Sequence, residues 1–170
     1  MTNSRLNSYQ RIHQYFAHIV QDSRLLQGYA GFSSTELRQK TNSLTGLPSP
    51  FLHLWKYEKG LLGTSPETTM AVVNVGYAIF RNDVAVDDFE AQYAAIDQCE
   101  QLAHHVCSRL RYDANNPQHF LFNAFLKDRT RIEPVSMQEV GYGVEVQVYF
   151  QNPESLKLHP QDWHSIDRVC

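Results

Sequence analysis

Glu100, His104 and Cys107 are side chains of types that bind zinc or a similar metal, and their spacing brings them onto one side of a helix. The same helix argues against a site there. Its apolar stripe runs through Cys99, Ala103, Val106 and Leu110, so Cys107 falls at the rim, His104 points further towards solvent and His105 points elsewhere. One helix cannot close a tetrahedral site, and no CxxC or HExxH pair stands elsewhere in the chain. Buried cysteines beside surface histidines are the simpler expectation, with no metal and no cofactor.

Asp162, His164, Ser165 and Asp167 crowd together in DWHSID and include the residue types of a hydrolase triad. Triads converge from distant segments, whereas neighbours in an extended tail diverge. Gly28 to Gly31 precedes a helix N-cap, and Gly60 to Gly63 is expected between strands; backbone N–H groups at either place suit a phosphate. Neither carries the GKS/T ending of a P-loop or the GxGxxG spacing, so ordinary turn glycines are expected. Lys127, Arg129 and Arg131 alternate within five residues, the pattern of a solvated strand edge. Trp55, Tyr57, Tyr77, Phe80, Tyr142, Tyr149 and Phe150 suit a ligand pocket, a core or a subunit interface equally. No catalytic residue emerges, and the expectation is a protein that is not an enzyme.

The elements that position these residues can be read from periodicity. Gly141 to Gln151 alternates strictly, with Val144, Val146, Val148 and Phe150 on one face and Glu145, Gln147 and Tyr149 on the other. Thr68 to Phe80 is apolar on both faces: Met70, Val72, Ala78 and Phe80 on one, Val73, Val75, Tyr77 and Ile79 on the other. Such a strand is central in its sheet or half-covered by another subunit. Phe51 to Lys59 reads as a further strand, and Arg131 to Val140 as an edge strand interrupted by Pro134. Gly141-Tyr142-Gly143 reads as a tight turn or bulge.

Helices are expected over Asn7 to Asp22, after a Ser33/Glu36 capping pair, and from an Asp87/Glu90 capping pair to Arg111. The core stripe of the last is Phe89, Ile96, Cys99, Ala103, Val106 and Leu110. Asn116-Pro117 suits the start of a short helix over Phe120 to Phe125, and a strand fits that segment nearly as well. Thr41 to Pro50 reads as a loop. The fold class is α+β: a mixed, mostly antiparallel sheet packed against one long helix and an N-terminal helix. Residues 1–152 make one domain and residues 153–170 a polar tail in which the lone Trp163 suits docking.

Composition narrows the function classes. At 170 residues, 42% apolar and 19% charged, the chain suits one globular domain with a real core. A net charge of −3 disfavours a general nucleic-acid surface. No run of 18 apolar residues offers a membrane span, and the N-terminus lacks the apolar core of a signal peptide. Three cysteines, Cys99, Cys107 and Cys170, suggest reduced thiols and a cytoplasmic setting.

The order of elements resembles the small tail-terminator and tail-completion proteins of phages and related contractile injection systems. The likeness is carried by AVVNVGYAIFRND followed by DDFEAQYAAIDQCEQLAHHVCSRL, and then by RTRIEPVSMQEVGYGVEVQVYFQNP. It covers roughly residues 8 to 152 and has no diagnostic motif. The resemblance implies a mixed sheet on helices and subunits forming a ring that caps a tail tube, with partners that are other copies and tube or sheath proteins. Val73, Val75, Tyr77, Ile79, Tyr149 and Trp163 are then the expected interface residues, because a ring subunit needs apolar strand faces that another copy covers. Two other readings are a metal-binding protein or enzyme using Glu100, His104 and Cys107, and a small-molecule module with a pocket between the long helix and the sheet.

Overall fold

A computed structural model describes residues 8–43, 46–63, 69–154 and 156. Three α-helices and five strands follow the order α1 (Tyr9–Asp22), β1 (Gly28–Ala30), α2 (Ser34–Thr41), β2 (Phe51–Leu62), β3 (Met70–Arg81), α3 (Phe89–Ala114), β4 (Arg131–Met137) and β5 (Gly141–Pro153). The sheet order is β1-β2-β3-β5-β4, with β1 parallel to β2 and every other pair antiparallel. This is the mixed, mostly antiparallel α+β sheet with a long helix that the alternation predicts.

The strand register builds one apolar layer. Val73 faces Phe150, Val75 faces Val148, Tyr77 faces Val146 and Ile79 faces Val144, all fully or almost fully buried. Against this inner face α1 packs Ile12, Tyr15, Phe16, Ile19 and Val20, and α3 packs Cys99, Ala103, Val106 and Leu110. The strand apolar on both faces is thus central, and the chain's own helices cover one of those faces. Val73, Val75, Tyr77 and Ile79, expected at a contact with another copy, lie under these helices and are not presented to a neighbour. The middle of the space between α3 and the sheet is filled by the same side chains, and it opens only at the β4 edge, as a groove of about 390 Å³ lined by His104, Cys107, Arg111, Phe125, Thr130 and Ile132.

The helix ends follow local chemistry. Ser8 Oγ caps α1 by accepting from Arg11 N at 3.2 Å, and Ser33 Oγ caps α2 by accepting from Glu36 N at 3.3 Å. The cap of α3 is Asp88, accepting from Ala91 N at 3.0 Å, and not Asp87. Phe89, placed in the core stripe by its spacing, is 65% exposed. It stands on the first turn, ahead of Gln92, where burial begins; the Gln92 amide donates to the carbonyls of Ala85 and Val86.

Four local expectations are corrected. Residues 116–126 form turns, with neither the short helix nor a strand. Asn123 sits at φ 55°, and Ala124 and Leu126 instead hydrogen-bond the β5 backbone at Gln151 and Tyr149. Lys127 to Arg129 is one turn of 3-10 helix, so the basic residues before Arg131 are not a strand edge. The β4–β5 reversal is made by Gln138, Glu139 (φ 67°) and Val140, while Gly141 to Gly143 already belongs to β5. Gly28 to Ala30 is a short parallel strand, so Gly28 is not the ordinary turn glycine expected. Pro134 does lie on an edge strand, as a residue lacking an N–H requires.

The end of β3 is tied to the segment before β2. Arg81 Nε donates to Asp83 Oδ1 at 2.9 Å and Ser49 Oγ donates to the same oxygen at 2.8 Å. The hydrogen bonds from Arg81, then from Ser49, hold the Asp83 carboxyl down at about 2 against a usual value near 4. The folded state therefore favours the ionised form, and this contribution is complete above about pH 4 and lost as pH falls towards about 2. Asp83→Asn should flatten that part of the acid limb in urea midpoints measured from pH 2 to pH 5. The effect is modest because the side chain is about half exposed. An unchanged acid limb would show that the Arg81–Asp83 tie contributes nothing.

A candidate docking face

The outer face of the sheet, opposite α1 and α3, is only partly covered. Leu37 of α2, Leu47 and Val140 close over Ala30, Phe51, Ala78 and Phe80 at one end. Next to them an apolar groove of about 240 Å³ stays open, lined by His53, Trp55, Ala78, Phe80, Val135, Met137 and Glu145. Alternation puts Ala78 and Phe80 of β3 on its floor, and β2 and β4 supply the opposite walls.

A bulge builds one wall. Leu54 pairs with Tyr77 and Lys56 pairs with Gly76, so Trp55 is the extra residue in β2. Its indole lies across β3: a Cβ on Gly76 would stand 2.9 Å from the ring. Glycine at position 76 is what lets the indole lie there.

Polar atoms in the groove are left without partners. His53 is 6% exposed and its Nδ1 has no hydrogen-bond partner; Trp55 Nε1 and Asn74 Oδ1 on the same face are also buried and unpaired. Burial holds the His53 imidazole below its usual pKa, although the backbone of Ala30 and Gly31 opposes the shift. A buried polar atom without a partner costs about 1–3 kcal/mol, so three on one face are an unusual concentration.

The acidic rim is also unbalanced. Glu133 and Glu145 pair directly across β4–β5, and neither meets a cation among the described residues. Gln147 Nε2 donates to Glu145 Oε1 at 3.2 Å. Like charges directly opposite in a ladder are unfavourable until something neutralises them. On the far side of the sheet, β1 pairs only with Phe51 to His53, so β2 from Leu54 to Leu62 has no strand partner on its outer edge among the described residues. Leu61 and Leu62 at its tip are exposed.

The groups that suggested chemistry are scattered. His104 Nε2 lies 3.8 Å from Glu100 Oε1 on an exposed stretch of α3, whereas the Cys107 sulfur contacts the buried Tyr77 hydroxyl at 3.6 Å. No group of three or more His, Cys, Asp or Glu gathers in ligating geometry among the described residues. Burial pushes the Cys99 thiol up to about 12 and raises Cys107, so neither is an activated nucleophile. Gly31 N donates to Glu36 Oε1 at 3.0 Å, which removes it as an anion donor, and Gly60 lies within β2, not between strands.

The aromatic set divides between the two faces. Tyr77 and Phe150 sit in the inner core with Tyr57 against it, while Phe80 and Trp55 belong to the outer cluster. Tyr149 is half-buried on the outer side of β5. Asp162, Trp163, His164, Ser165 and Asp167 lie outside the described residues, as does the expected tail docking.

One convergent polar cluster escaped the sequence reading. Tyr15 Oη donates to Asp113 Oδ2 at 2.7 Å and Arg109 Nε donates to the same oxygen at 2.8 Å, while Arg109 Nη1 reaches Asp22 at 3.4 Å. Burial, then the Asp113 bond, raises the Tyr15 pKa far above its ordinary value. Asp113 is itself buried. These groups clamp α1 to α3, and Arg109 and Asp22 border a cleft of about 270 Å³ between the two helices, lined also by Ile19, Leu26, His105 and Val106. Only the Arg109/Asp113 spacing was visible in the sequence, since Tyr15 lies far away along the chain.

No helix of the described residues is long and apolar enough to cross a membrane. No family model, curated protein or solved structure matches this chain.

Proposed function

We propose that this protein is a non-enzymatic assembly subunit that associates with copies of itself and caps or terminates a phage-tail-like tube. The observation that carries the reading is the outer sheet face. Its apolar groove, unpaired His53 and Trp55 nitrogens and facing Glu133 and Glu145 carboxylates all favour cover by protein carrying polar and basic groups. The open β2 edge supports the same reading, because an added strand satisfies backbone groups in a row. The order of elements agrees with the tail-terminator resemblance.

Sedimentation velocity, with and without purified tube protein, tests the proposal. The expected result is a discrete closed oligomer, or particles seated at tube ends in electron micrographs. A monomer under both conditions, with no tube-end density, overturns it.

A further inference from the structure

The exposed flank of α3 joins two unlike ends. We propose that two copies of this chain pair their α3 helices antiparallel about a two-fold axis, each seating Phe89 and Tyr93 in the groove at the far end of the other's α3. The inference rests on the reading of this chain as a self-associating subunit, and it names one contact by which it associates.

One end is an apolar knob. Val86, Phe89 and Tyr93 are 80%, 65% and 66% exposed, more than any other large apolar side chain among the described residues except Tyr112. Asp87, Glu90 and Asp97 stand among them in sequence, and none meets a cation among the described residues. The other end is the groove of about 390 Å³ at the β4 edge, where Cys107, Phe125 and Ile132 lie beside the cations Arg111 and Lys127. Neither cation has a carboxylate partner among the described residues. Thr130 Oγ1 is buried at the groove without a hydrogen-bond partner.

The two ends lie on one side of the helix. At 3.6 residues per turn, Phe89, Tyr93, Glu100, His104, Cys107 and Arg111 fall within about 60° of one another, about 100° from the core stripe of Cys99, Ala103, Val106 and Leu110. Complementary parts that share one face suit a two-fold contact, which uses each part twice. An axis between Glu100 and Gln101 sets Tyr93 opposite Ser108, Glu90 opposite Arg111 and Asp97 opposite His104 of the second copy. The aromatic knob then enters the apolar groove, and the Tyr93 hydroxyl gives Thr130 Oγ1 a partner. Charge agrees: the exposed carboxylates of α3, Glu90, Asp97 and Glu100, all precede its bases, His104, His105, Arg109 and Arg111. That order also suits the helix dipole, but the dipole requires neither exposed aromatics nor a groove.

Charge reversal on the full chain tests the contact, read by sedimentation velocity over a concentration series. The unaltered protein should form a dimer or an even-numbered closed oligomer. Glu90→Lys with Asp97→Lys should weaken self-association at least about tenfold, and so should Arg111→Glu with Lys127→Glu. Phe89→Ser with Tyr93→Ser should weaken it as much. All these positions are exposed, so the fold tolerates the changes. Mixed in equal amounts, the two charge-reversed variants should recover the association, because each reversed end meets its reversed counterpart.

An unaltered chain that stays monomeric at every concentration overturns the proposal. So do an odd-numbered ring, variants that associate undiminished, or a mixture that fails to recover. The same samples separate this contact from the capping role. A closed oligomer indifferent to all three variants removes the α3 contact and leaves the assembly reading. A charge-dependent dimer that neither closes into a ring nor seats on tube ends keeps the contact and removes the capping.

Discussion

Phe16→Ala should lower the free energy of unfolding by about 3–5 kcal/mol, the cost of truncating a large, fully buried aromatic. Phe16 stands where α1 meets the central strand, its ring 5.2 Å from that of Tyr77 and 5.8 Å from that of Tyr15. A domain of this size holds about 5–15 kcal/mol in all, so the variant should keep only part of its stability at 25 °C. The loss should be the same at low and high protein concentration in denaturant titrations, because the inner face is covered within one chain. A loss below about 1 kcal/mol, or one that vanishes as the protein is concentrated, would mean that this face is completed by a neighbour after all.

Gly143→Ala should be nearly as damaging for a different reason. A Cβ at this position would lie 1.8 Å from the Ile79 carbonyl oxygen and 3.0 Å from Phe80 Cα. Both are backbone of β3, so no side chain can swing aside and the two central strands must separate. The expected cost is at or above the upper end of the about 1–3 kcal/mol typical of overpacking. Gly60→Ala is the matched control: its nearest contact would be 3.9 Å away, and its midpoint should move by about 0.5 kcal/mol or less. Equal midpoints for the two variants would contradict the pairing of Phe80 with Gly143.

Much of the scaffold was legible because strong periodicity and strong packing coincide in it. Val144 to Phe150 alternates and is buried on alternate residues; Ser33 caps a helix; Pro134 marks an edge. The misses have physical causes. A strand of three residues, Gly28 to Ala30, is too short to show a period. Gly143 carries the signature of a turn but is glycine because β3 passes close beside it. Residues 116–126 have helix-compatible spacing, yet tertiary pairing with Gln151 and Tyr149 prevails over that local preference.

The candidate face was half legible. Apolar residues on both sides of Met70 to Arg81 announced that both sides are covered, without saying which side the chain covers by itself. The bulge at Trp55 could not be seen, since one inserted residue breaks alternation silently. The Glu133/Glu145 opposition becomes visible only once the register of β4 on β5 is known.

The position of β5 has a consequence for synthesis. The strand is the last of the five in chain order, yet it lies between β3 and β4. Until it leaves the ribosome, β3 has one bare flank, β4 has no partner, and the greasy layer around Tyr77 lacks its second half. Nascent chains halted before Gly141 should recruit holding chaperones, and those extended well past Pro153 should release them.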